Sequence, residues 1–145
     1  MFEVTEFDVK KYDAVLARGL SKGMGDAGGQ VCIEAAICEA MGLPHSDQPG
    51  CIASEVWAFK VKLNDAKWSS PEARAKGLRD LGLAQLGSKD SVDNMEFSQR
   101  LAELAIRRLI PMLFREILSD SKACMDAADL CEREGTVNAA CVAYG

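Results

Sequence analysis

Histidine is nearly absent from this 145-residue chain: His45 is the only one. That scarcity limits chemistry first, because acid–base catalysis relies on histidine more than on any other side chain. The carboxylates do not make up for it. Glu34 and Glu39 flank the apolar stripe of their segment on opposite sides, as solvated boundary residues would, and no Glu-x-x-His occurs for a di-iron site. A surplus of positive charge is missing as well. Seventeen Lys and Arg against 22 Asp and Glu leave a formal charge of -5, so the chain repels a phosphate backbone, and direct nucleic acid binding is disfavoured. No apolar run approaches the ~20 residues of a membrane span. The amino-terminal MFEVTEFD carries acid where a secretory signal carries Lys or Arg. A cytoplasmic protein with no membrane partner is expected. No segment keeps a period-2 alternation over five or more residues, so the half-buried strand is excluded and the chain reads as all-α.

What is present fits a packed core. With 48% apolar and 27% charged residues the composition is globular, and a chain of this length buries roughly 70% of its unfolded surface. One domain, residues 1–145, is expected. The six cysteines (Cys32, Cys38, Cys51, Cys124, Cys131, Cys141) read as free thiols in a reducing compartment.

The helices can be taken in order. Thr5-Glu-Phe-Asp8 resembles a capping box opening a helix over 6–20, with Val9, Tyr12, Leu16 and Leu20 as its buried stripe. Ile33, Ala36, Ile37, Ala40 and Met41 mark a second helix over 29–41, closed by Gly42 and Pro44. Ile52, Val56, Phe59 and Leu63 line one face of a third. Trp57 and Val61 lie almost opposite, so this helix is expected at the centre of the bundle or against a partner. Ser70 before Pro71 and Glu72 is a strong start for a fourth helix, which runs to about Leu86. Gly77 and Gly82 inside it predict the close approach of another helix. The long periodic stretch 94–118 contains Pro111, which should kink it or split it in two. A stripe of small residues (Cys124, Ala127, Ala128, Cys131) follows. Gly135 breaks it, and Thr136 can cap a short last helix. The expected fold is a compact single-domain bundle of six to seven short helices.

The run GMGDAGGQVCIEAAICEAMGLPHSDQPGC, with AFKVKLNDAKWSSPEARAKGLRDLGLAQLGS and LIPMLFREI after it, resembles a family of hypothetical proteins of bacteriophage and bacterial genomes. The likeness covers roughly residues 17–118. It brings no catalytic or ligand residues with it. It implies a phage-linked accessory protein, and small acidic proteins of that kind are often counter-defence factors that bind a host protein or sequester a nucleotide signal.

Gly23-Met-Gly-Asp-Ala-Gly28 matches G-x-G-x-x-G, but a helix rather than a strand precedes it, so the dinucleotide-binding reading fails. Two readings remain. The amides around Gly25, Gly28, Gly29 and Gln30, with the positive end of the next helix, could hold a phosphate or carboxylate, with Arg100 and Arg107 adding charge. Alternatively the stretch is a glycine-rich joint, a reading that Asp26 favours by placing negative charge in the loop. Glu103 is spaced for an i,i+4 pair with Arg107, the blander role for that arginine. Cys32 near a helix start could be a nucleophile with His45, but a helix of roughly 20 Å separates them, and Cys32 sits equally well as a small core residue. Cys32 and Cys38 project about 120° apart, so they cannot easily share a zinc ion. Trp57 with Val61 is the candidate protein contact. The expectation is a non-enzymatic binding protein that sequesters a phosphorylated small molecule or masks a host protein. It needs no metal and no cofactor, and is compatible with a homo-oligomer. The alternative is a small enzyme acting through Cys32.

Overall fold

The computed structural model describes residues 7–144, and their regular structure is helical throughout. Extended pairing among the described residues is confined to two isolated bridges, Leu20 with Val31 and Gly25 with Val31. The all-α reading is borne out. None of the described helices is long and apolar enough to cross a membrane. The chain groups into two compact units, Met1–Asn94 and Met95–Gly145.

In the first unit, α1 (Val9–Leu16) is shorter than the expected 6–20. Asp8 is itself the N-cap: its carboxylate accepts from the Lys10 and Lys11 amides at 2.9 and 3.1 Å. Thr5 and Glu6 of the expected capping box lie outside the described residues. Tyr12, Val15 and Leu16 are buried, Val9 is exposed, and Leu20 is buried in the loop beyond the helix.

The central element is α2 (Ile33–Ala40), which packs against α1, α3 (Ser54–Asp65) and α4 (Pro71–Ala84). Seven of its eight residues are buried, as suits a helix whose small and apolar residues leave it no polar face. For α3, by contrast, the two apolar faces read from the sequence predict a central place or a partner contact. Residue 29 is not the start of α2, because the bridges to Val31 keep the preceding residues extended up to the cap at Cys32. The buried residues of α3 are Val56, Lys60 and Asn64, whereas Phe59 and Leu63 of the expected stripe are only half-buried.

Ser70 caps α4 by accepting from the Ala73 amide at 3.1 Å, with Pro71 in the first turn as expected. A side chain at Gly82 would strike the Tyr12 hydroxyl and lie 3.2 Å from Ile33 Cδ1, so α1 and α2 do approach closely there. Gly77 is met by the Trp68 indole instead, from the turn before α4 rather than from another helix.

The second unit begins with α5 (Asn94–Leu104), which continues through a π-helical turn (Ala105–Leu109) into α6 (Ile110–Ile117). Pro111 has no amide to donate, and the turn just ahead of it widens so that the Ile110 amide reaches the Ala105 carbonyl. The outcome is a bulge in a continuous helix. Then come α7 (Lys122–Glu134), which ends at Gly135, and α8 (Val137–Tyr144), with Thr136 accepting from the Ala139 amide at 3.2 Å. The core of this unit is small: Ile106, Cys131 and Ala139, with Ile110, Leu130, Ala140 and Ala143 half-buried around it.

Candidate functional site

The glycine stretch folds on itself. Gly25 has φ +73°, and a Cβ there would collide with the Gln30 carbonyl and stand 2.5 Å from Ser21 Oγ, so only glycine fits. Four amides in and beside the loop donate within the chain: Gly23 to Asp65 Oδ1 at 2.8 Å, Asp26 to the Gln30 carbonyl at 3.1 Å, Gly29 to the Asp26 carbonyl at 3.0 Å, and Cys32 to the Met24 carbonyl at 3.1 Å. The Gln30 side-chain amide donates to the Arg18 carbonyl at 2.9 Å. Gly28 is exposed, and its carbonyl accepts from Arg18 at 3.4 Å. At the start of α2, the Ile33 amide donates to Asn64 Oδ1 at 3.1 Å and the Ala35 amide to Cys32 Sγ at 3.4 Å. The positive end of the helix that an anion would use is buried and capped by the protein.

Cys32 is buried, and burial is the main cause that pushes its thiol pKa up, so the sulfur caps a helix as a protonated thiol rather than attacking as a thiolate. His45 meets the glycine loop. Its Nε2 is 3.1 Å from the Gly25 carbonyl, which only accepts, so that nitrogen carries the proton. It lines an open cavity of ≈ 220 Å³ with Ala27, Gly28, Glu39 and Leu43. Cys38 is also buried, its thiol pushed up to about 12 mainly by desolvation. Among the described residues no three His, Cys, Asp or Glu side chains converge as a metal site would require.

Below the loop lies a buried network that sequence reasoning missed. Glu34, expected to be solvated, is 0% exposed, and Lys60 is 1% exposed with its Nζ 3.0 Å from Glu34 Oε1. Gln85 Nε2 donates to Glu34 Oε2 at 3.0 Å, so α2, α3 and the end of α4 meet on one carboxylate. Burial raises the Glu34 pKa and the charge of Lys60 opposes that rise; burial likewise lowers the Lys60 pKa against the pull of Glu34. Asn64, one turn after Lys60, donates to the Ser21 carbonyl at 3.0 Å and to Asp65 Oδ1 at 2.9 Å, tying the network to the glycine loop. Two signals point to it in retrospect. Lys60 falls midway between two buried residues at i,i+4 spacing, and Glu34 belongs to a helix with no polar face.

Trp57 and Val61 part company. Trp57 Nε1 donates to the Asp47 carbonyl at 2.6 Å, which fixes the indole at the side of an open groove of ≈ 520 Å³. Pro49, Ile52 and Ala53 supply its apolar lining, and Gln48, Ser54, Lys89 and Asn94 its polar edge. Val61 instead lines a ≈ 40 Å³ cavity with Cys32, Glu34 and Asp47. The groove has no signal in the sequence beyond Trp57 itself, since its lining comes from three separate segments.

Arg100 and Arg107 belong to the second unit, and the glycine loop to the first. Arg100 pairs with Glu96 at 2.7 Å on the exposed face of α5. Arg107 pairs with Glu103 at 2.8 Å, the expected i,i+4 partner, and also donates to the carbonyls of Glu132, Arg133 and Glu134 at 3.0, 2.7 and 2.9 Å. Its fork closes the carboxyl end of α7, where three carbonyls lack helical partners. No protein family, characterised protein or solved structure shows a significant match to the chain.

Proposed function

We propose that the chain is a non-enzymatic binding protein that docks a segment of a host protein in the Trp57 groove, acting as a phage-linked accessory factor. The phage link rests on the resemblance of residues 17–118. One structural observation supports the docking role: an open, mixed apolar and polar groove of ≈ 520 Å³ beside a fixed indole. Ligand sites commonly span ~300–1,000 Å³ with mostly apolar walls and a few polar groups, and Trp is enriched among residues that dominate binding energy. Because the Asp47 carbonyl already holds the indole, little side-chain freedom is lost when a partner arrives. Lys89 on the edge offers a charge for a partner carboxylate.

The test is affinity capture of host proteins by the tagged full chain, run in parallel with Trp57→Ala. A partner retained by the parent and lost by a variant with an unchanged helical spectrum supports the reading. A partner equally retained by Trp57→Ala overturns it, as does the absence of any partner.

Sequestration of a phosphorylated small molecule is the second reading, favoured by Lys89 beside a groove of ligand size. It has less support in Arg107, whose donors already face acceptors of the chain itself, and in the glycine loop, where the Gly23, Asp26 and Gly29 amides do the same. Native mass spectrometry of gently purified protein separates the two readings. Bound mass matching a phosphorylated compound, absent from Lys89→Ala, favours sequestration. The enzyme alternative has the least support, because the Cys32 thiol is buried and held protonated.

A further inference from the structure

From the end of the π-helical turn through α6, a row of apolar residues faces outward. Leu109, Met112, Leu113 and Ile117 are 53%, 47%, 47% and 71% exposed, forming one stripe at i, i+3, i+4 and i+8, while among the described residues the buried core cluster of the same unit is Ile106 with Cys131 and Ala139. A small unit with so thin a core is of the kind that oligomerisation stabilises.

The charges beside the stripe say which partner fits. In this unit Arg100, Arg107, Arg115 and Arg133 each have an ion-pair partner within it. Among the described residues Arg108 has none and neither has Glu116, the one acid on α6. Arg108 stands four residues before Met112 and Glu116 four residues after it. All three line one groove. A twofold axis across Met112 therefore brings Arg108 of one copy to Glu116 of the other, twice, with the apolar stripe in the seam. A parallel, in-register pairing would set Arg108 against Arg108. Self-complementarity of this sort is what an isologous interface requires.

We propose that two copies of the chain associate through α6, antiparallel, about an axis near Met112. The seam belongs to the second unit and the Trp57 groove to the first, and the proposal does not depend on the function assigned to that groove.

Sedimentation equilibrium of the full chain across a wide concentration range is the test, with circular dichroism confirming the helical content of each variant. A dimer is expected. Arg108→Glu or Glu116→Arg alone should raise its dissociation constant by at least about tenfold, because each places like charges together twice. The combined Arg108→Glu/Glu116→Arg variant should restore the parent value, a rescue that no folding defect would show. A monomer at every concentration overturns the proposal, including one whose α6 face is taken by a different protein. So does a dimer indifferent to both reversals, or one that the combined variant leaves weakened.

Discussion

Glu34 and Lys60 show how a single pair of residues constrains the first unit. Removing one partner leaves a buried charge without its counterpart, which costs about 3–5 kcal/mol, whereas replacing both by apolar residues is commonly near neutral or better. Lys60→Met alone should therefore be strongly destabilising, and Glu34→Leu with Lys60→Met should recover most of the loss; chemical denaturation of the two variants measures the difference. A second residue gives a pH dependence. Asp65 accepts from the Gly23 amide and from Asn64, and the first of these bonds is the main cause holding its carboxyl below the ordinary 3.8. A depressed folded pKa means stability that is present above about pH 4 and lost as the pH falls through the folded value. Acid unfolding of Asp65→Ala, followed by circular dichroism, should show a shallower loss on the acid side than the parent. None of this was legible beforehand. A charged residue announces burial only through its partner, and here the partners stand 26 and 51 positions away from Glu34, on other helices.

Whole elements were far more legible. The Ser70-Pro71 start, the Thr136 cap and the close approach at Gly82 followed from local rules, because hydroxyl caps and the lack of a Cβ act within a few residues. What failed was the assignment of faces. The buried side of α3 holds Lys60 and Asn64, polar residues that a periodicity count places outside. The proline was located correctly, but its consequence is a wider turn in a continuous helix, since a π turn can accommodate a missing amide without breaking the chain. At the end of α7, Arg107 acts as a cap from outside the helix. Arg107→Ala should lower stability by about 1–2 kcal/mol, read from thermal denaturation. Arg107→Lys should recover only part, because an ammonium lacks the planar fork that reaches several carbonyls at once.

The two units are unequal. The first buries nearly all of α2, while α5 buries no residue and the second core is built mostly from small side chains. Hydrogen exchange followed by mass spectrometry should find its slowest amides in α2 and its fastest helical amides in α5 and α8, because protection follows local burial. The number of domains was read as one from length and composition. Within the chain, contacts group the residues into two compact units on either side of Asn94. Both tryptophans, Trp57 beside its groove and Trp68 against Gly77, lie ahead of that division. The molecule thus has a tryptophan label on one unit only: its tryptophan emission follows the first unit, while its far-ultraviolet dichroism sums over every helix. Melting curves from the two signals will superimpose where the halves unfold as one, and will separate by the stability of the unlabelled half where they do not.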